Sequence, residues 1–449
     1  MKKITILFIL YIGFQTAAFS QGCLPDGISF STQTEIDNFQ TNYPSCTEIE
    51  GWVLISGADI TNLDGLNNVT SIGDYLEIMD NSSLTSLNGL GSLTSIESYL
   101  NISNNTLLTD LTGLNGLTNI NYSLQLYSNN SLISLTGLNN VEAIGGHLEI
   151  VSQDALTNLS GLESLITVYG EFIIAQNNAL INLVGLSALT SVGMDFILWK
   201  NNLLLNCQGV DQLSSIGETL HLYKNIAMTT ISGFESLTSV GIKVRFYENT
   251  ELINMNGLNN LVSISGGLEF INNSKLTDLT SLGSIESIDG MLLIDNNIQL
   301  TTLSGLENIN SNTIDSIAII NNTTLSTCEV QSICSYISIP AAVININNNY
   351  IGCNSEIEVD SMCQVVTVPE LEFCDYYSIY PIPANDKLNI LSHNNTTISN
   401  LTIYNQFGQR VIFIKSASSP IDISVLKPGL YIIEILNGKT KLRDKLIVR

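Results

Sequence analysis

Trp199, Tyr223 and Tyr247 stand 24 residues apart, and around them fall Lys200, His221, Lys224, Lys243 and Arg245. Aromatic faces stack on sugar rings or on side chains, while neighbouring cations accept an acidic group or pack on the rings. The same spacing has a plainer consequence, because aromatics on paired strands stabilise one another by about 0.2–1 kcal/mol each. Groups suited to catalysis are sparser. The chain has 3 histidines, His147, His221 and His393, and lacks CxxC, HExxH, GxSxG and phosphate-loop patterns. No DxDxDG-type calcium loop occurs. Carboxylates such as Asp295 and Glu269 can meet on one face, but in so acidic a chain chance proximity is expected, and the reading is of a non-enzyme without cofactor or metal.

The elements that would position these residues are set by repetition. Gly65, Gly89, Gly113, Gly137, Gly161, Gly185, Gly209, Gly233, Gly257 and Gly305 lie on a 24-residue grid that only Ser281 interrupts. A gap-free period of this length makes each unit one coil of a solenoid that buries its apolar face against its neighbours. Pairs such as Leu76/Ile78, Leu100/Ile102 and Leu148/Ile150 show the two-residue period of a strand with one buried face. Apolar residues spaced by three, such as Leu90, Leu93 and Ile96, form the opposite, turn-rich wall. The outward strand column reads Met79, Ser103, Tyr127, Val151, Ala175, Trp199, Tyr223, Tyr247, Ile271 and Asp295. With parallel strands about 4.8 Å apart, three successive aromatics make one contiguous strip.

An amide follows each strand: Asn81, Asn105, Asn129, Gln153, Asn177, Asn201, Asn225, Asn249, Asn273 and Asn297. Stacking turns this column into a buried ladder, in which each side chain can satisfy backbone groups of its own coil and the next. The unit LxIxxNxxLxxLxGLxxLxxI resembles the leucine-rich repeat. More specifically, through runs such as Leu93 to Ile102, Asn104-Asn105 and Leu117 to Asn130, it resembles the receptor L-domain of insulin and epidermal growth factor receptor ectodomains. That resemblance implies a mainly β fold, a right-handed parallel β-solenoid with a single strand per turn. It leaves function open, because one scaffold hosts many binding specificities.

Lys2-Lys3, an apolar stretch from Ile4 to Phe14 and small residues before Gln21 read as a secretory signal over 1–20, cleaved after Ser20. Its apolar run is too short to span a bilayer, which takes about 20 residues. In an exported chain cysteines point to disulfides, and here they gather at the solenoid's ends. Cys23 and Cys46 bracket an N-terminal cap (21–50). Cys328, Cys334, Cys353 and Cys363 surround a C-terminal cap (328–363), which closes the repeats of 51–327, and their pairing stays open. Cys207 occupies a leucine column and reads as a buried free thiol, leaving Cys374 over.

After a linker at 364–374 the grid ends, and alternating strands with turn signals at 405–408, 427–429 and 437–438 suggest a small β-sandwich over 375–449. The runs from Tyr380 to Ala384, Ile403 to Gln409 and Leu426 to Tyr431, with the terminal Lys445 to Arg449, resemble the C-terminal sorting domain of type IX secretion cargo in Bacteroidota. Ile382 stands where that motif usually has Asn. The resemblance implies handling by the type IX machinery and a secreted or outer-surface location.

Residues 21–374 carry 36 Asp and Glu against 5 Lys and Arg, a field that disfavours nucleic acid as a partner. Four of those five cations, Lys200, Lys224, Lys243 and Arg245, lie within two coils of the aromatic strip. The sequence thus points to an adhesin-like, non-catalytic surface protein that recognises a glycan or a protein. The alternatives are a purely structural spacer about 60 Å long and, with less in the sequence to support it, a hydrolytic enzyme.

Overall fold

The computed structural model describes residues 22–364, 377–392, 398–437 and 440–449. The expected signal segment, the linker from Val365 onward, Cys374 and His393 lie outside them. The described residues form two compact units divided between Cys363 and Gln364, and no helix among them is long and apolar enough to cross a membrane.

The first unit is a parallel β-solenoid. Its main wall is a 14-stranded parallel sheet running in chain order from Ile28–Phe30 to Val343–Asn347. Register places like positions opposite one another: Leu148 pairs with Phe172, Phe172 with Phe196, and Trp199 with Tyr223. The opposite wall is more ordered than turns alone require. Two-residue strands such as Ser191–Val192 and Ser215–Ile216 pair in a 7-stranded sheet, and three more, from Glu48–Ile49 to Ser95–Ile96, form a second group. Between the walls, the columns of Leu76, Ile78, Leu84, Leu87, Leu90 and Leu93 are at most 3 % exposed, within one apolar cluster that runs the length of the unit.

The amide ladder joins the coils. Asn177 Oδ1 accepts the backbone N–H of Gln153 at 2.9 Å, while Asn177 Nδ2 donates to Ile150 O of the preceding coil at 2.9 Å. Asn105, Asn129, Asn201, Asn225, Asn249, Asn273 and Asn297 repeat this two-ended arrangement, and Asn81 begins it with the Gly57 N–H and Ile55 O. Gln153, one methylene longer, turns its amide nitrogen to Val151 O of its own coil. The column continues past Asn297 through Asn322 and Asn349, where the spacing lengthens to 25 and 27 residues.

A backbone requirement explains why an amide is needed. The residue before each ladder position, from Asp80 and Asn104 to Lys200, Lys224 and Asn321, is left-handed with φ between 53° and 60°. Such a conformation costs a non-glycine residue about 1–2 kcal/mol, and the ladder bonds hold the bend against that cost.

The grid glycines answer a second requirement. At Gly185 φ is +118°, and a Cβ would stand 2.1 Å from Leu159 O of the coil below. Ser281 is accommodated because Thr280–Leu282 forms a 3-10 turn, as do Asp64–Leu66 and Asn88–Leu90. Its hydroxyl donates to Asn256 Oδ1.

Both ends are capped. Helices Gln33–Asp37 and Phe39–Asn42, started by a Thr32–Glu35 capping box, drive Ile36 and Phe39 into the N-terminal opening, and Cys23–Cys46 ties this cap. Helices Gln331–Ile337 and Glu356–Cys363 close the other end through Cys328–Cys353 and Cys334–Cys363. Cys207 is free and buried, and burial, followed by the nearby Glu235 charge, pushes its thiol pKa up.

The second unit holds a 3-stranded sheet (Tyr377–Tyr380, Lys387–Ser392, Ile421–Asp422) and a 4-stranded antiparallel sheet ordered Arg410–Lys415, Asn400–Asn405, Gly429–Asn437, Thr440–Val448. Leu388 and Ile390 from one and Leu401, Ile403, Ile433 and Leu446 from the other share one core.

Asn177→Ala is expected to lower unfolding free energy by about 1–3 kcal/mol in denaturant melts. Exposed Asn178→Ala, which loses only surface bonds, one donated to Asp154 and one accepted from Asn202, should stay within about 0.5 kcal/mol of wild type. Equal effects would contradict the ladder. Non-reducing peptide mapping should recover the three bridges, with Cys207 alkylated only after unfolding; alkylation in the native state would show the column to be open.

Candidate ligand-binding surface

The main sheet alternates inward apolar residues with outward ones, so the strand register decides what its outer face presents. Trp199, Tyr223 and Tyr247 fall in one outward column of three adjacent strands. The Trp199 and Tyr223 rings are parallel within 6° at 6.3 Å between centroids, and Tyr247 follows at 4.9 Å with a 50° tilt. All three are half-buried. Ala175, paired with Trp199 on its other side, is only 1 % exposed, which places the indole over it.

His221 and Arg245 occupy the neighbouring outward column, Lys243 a third, and Lys200 and Lys224 the left-handed bends just after the strands. All eight expected residues therefore belong to one face. The cations also touch the rings: Lys200 Nζ lies 4.9 Å from the Trp199 centroid, Lys224 Nζ 4.9 Å from Tyr223, and the Arg245 guanidinium carbon 5.8 Å from Tyr247.

Their charge is partly offset by two carboxylates, Glu248 and Glu269. Lys224 pairs with Glu248 at 3.3 Å, and the hydrogen bond with the Tyr223 phenol, followed by that with Glu248, raises the Lys224 pKa. Lys243 Nζ sits 2.6 Å from Glu269 Oε1, and Arg245 Nε 2.9 Å from Glu269 Oε2. The latter is an ion pair rather than a directed hydrogen bond, since the Arg245 Nε–H has no hydrogen-bonded acceptor among the described residues. Glu269 is 6 % exposed, and the paired cations repay its burial. Lys275, the fifth cation, binds Glu251. Among the described residues Lys200 alone of the five has no carboxylate within ion-pair reach. His221 stacks on Tyr223 at 5.7 Å, and its pKa is lowered first by burial and then by Arg245. The patch is thus closer to neutral than four cations and a histidine suggest.

Glu269 and Asp295 do not act together. Glu269 shares its column with Arg245, whereas Asp295 stands opposite Ile271 and accepts a bond from Asn321. Among the described residues no group of three or more His, Cys, Asp and Glu could hold a metal ion.

A second aromatic run lies nearer the N-terminus of the same sheet. Trp52 and Tyr75 are stacked at 5.9 Å and 9°, and Tyr75 and Tyr99 at 4.8 Å and 8°. They occupy the position just before each inward strand residue, where Tyr75 and Tyr99 keep the 24-residue interval. That column is therefore the signal by which sequence could have found them. Tyr99 Oη donates to Glu77 at 2.9 Å, and the Tyr127 hydroxyl donates to Glu149.

Residues 378–449 match the family described as the secretion system C-terminal sorting domain. No curated protein matches the chain. The C-terminal unit is therefore a type IX secretion sorting domain, and the protein is secreted or attached to the cell surface.

His221 should titrate below 6.5, the ordinary histidine value, when its ring is followed by NMR against pH. Its folded pKa is depressed, so the stability it contributes is present above the unfolded pKa and lost as pH falls through the folded one. A midpoint above 6.5 would mean that an acidic neighbour, not burial, governs this ring.

Proposed function

We propose that the protein is a non-catalytic recognition module of the cell surface whose solenoid binds an extracellular glycan across the face carrying Trp199, Tyr223 and Tyr247. The observation that carries this reading is the contiguous strip of half-buried rings on three adjacent strands, held in place by cation–π contacts. Rings already fixed by packing lose little conformational freedom when a ligand arrives. Pairing of Lys224, Lys243 and Arg245 with Glu248 and Glu269 favours an uncharged ligand over an acidic one. The sorting domain puts the solenoid where extracellular polymers are met.

The described histidines favour recognition over hydrolysis. His147 Nδ1 accepts a bond from the Glu171 backbone N–H, and His221 is stacked on Tyr223; neither ring bonds a hydroxyl or thiol side chain among the described residues.

Replacing Trp199, Tyr223 and Tyr247 together by Ala should reduce retention on the responsive polysaccharide at least tenfold in pull-down and array measurements, with the fold checked by circular dichroism. Unchanged retention would remove this face. Loss of cell-surface cross-linking to a polypeptide, with glycan retention intact, would replace the glycan by a protein partner.

A further inference from the structure

We infer that the outer face of the main sheet is one elongated track for a linear, uncharged polysaccharide, engaged at two aromatic subsites, Trp52/Tyr75/Tyr99 and Trp199/Tyr223/Tyr247. The inference rests on the proposed glycan reading and extends it to the class and length of the ligand.

Both runs stand on the same parallel sheet. From the strand beside Trp52 to that of Tyr247 there are eight strand steps, and from the strand beside Tyr99 to that of Trp199 four. At about 4.8 Å per strand step and about 3.3 Å per residue along a strand, the four-residue offset between the two columns makes the track a diagonal of roughly 40 Å with about 23 Å between its subsites. Each run is built to hold its rings. Trp52 lies against Gly27, where a Cβ would meet the indole at 2.5 Å, and Tyr99 is fixed by its bond to Glu77.

The interval is not bare. Tyr127 and Gln125 both bond Glu149, and Ile173 and Ile197 continue the column apolar up to His221. One polar atom beside each run lacks a partner among the described residues: Asn101 Oδ1 next to Tyr99, and Trp199 Nε1. A polyhydroxylated chain supplies donors and acceptors for both once the side chains over them part.

Charge selects the class. Glu77 and Glu149 stand in an outward column, and Glu171 and Asp195 continue the column of Tyr99, so a polyanion is repelled there, while of the cations at the far end Lys224, Lys243 and Arg245 are tied to Glu248 and Glu269. Sugar hydroxyls donate to such carboxylates without bringing charge. A repeating polymer also suits a surface whose own backbone repeats at every strand.

The test uses size ladders of neutral β-linked glucan, xylan and chitin oligomers on the mature protein, measured by calorimetry. For the series that binds, oligomers longer than about 40 Å should bind about 10²-fold more tightly than those shorter than about 15 Å, because the second contact becomes intramolecular. The combined replacement Trp52→Ala, Tyr75→Ala and Tyr99→Ala should abolish that gain and leave short-oligomer affinity at the Trp199 subsite unchanged. Ring-preserving Tyr75→Phe and Tyr99→Phe, which keep the stack, should retain most of the gain. Binding of short oligomers with no increase at greater length would overturn the track and spare the single-patch reading. Failure of every oligomer to bind would overturn both.

Discussion

A two-ended amide bond between successive coils is the interaction on which this molecule depends. From Leu76–Met79 onward each strand of the main sheet is followed by a non-glycine residue held left-handed, and such a bend exposes strand carbonyls and amide N–H groups to the interior. An asparagine one residue later fills that position with an acceptor for one coil and a donor for the same neighbour, as Asn201 does between Asn177 N–H and Ile174 O. Because the bond reaches a fixed partner, the coil length is fixed with it. Glycines at the opposite corner then allow backbones to approach until no side chain fits.

Once inward positions are committed to leucines and amides, only the outward columns of the sheet are free to vary. They vary regionally. Tyrosines bonded to carboxylates dominate the first coils, aliphatic residues the middle, and aromatics with ion-paired cations the later ones. The strong negative balance of the solenoid is interrupted where Lys200, Lys224, Lys243 and Arg245 cluster, and there Glu248 and Glu269 offset part of the positive charge. A surface of this kind distinguishes ligands by shape and hydroxyl pattern rather than by charge.

Much of the solenoid was legible in sequence because its period is also its physical repeat: the 24-residue grid placed the strand, the amide column and the aromatic strip. What escaped has physical reasons. Asn322 and Asn349 continue the ladder, but their coils are longer than 24 residues, so a strict period misses them. The two-residue strands of the second wall are too short for alternation to reveal. Trp52, Tyr75 and Tyr99 lie one position ahead of the strand proper, in a column that continues through Ser123, His147, Glu171, Asp195, Thr219 and Lys243. Counting cations overstated the positive character of the patch, since Glu269 sits 24 residues beyond Arg245 and neutralises it across one strand step. The N-terminal helices were hidden in a polar leader whose capping box, Thr32 to Glu35, was the available clue.

The claim that amide bonds between coils hold the solenoid is tested most directly by residue-resolved hydrogen exchange of the ladder's own backbone amides. Asn105, Asn129, Gln153, Asn177 and Asn201 each donate a backbone N–H to the next coil's side-chain oxygen. These amides should exchange as slowly as those of the flanking strands, near the rate set by global unfolding. Exchange as fast as that of the exposed neighbours Asn178 and Asn202 would show that the coils stack without the ladder.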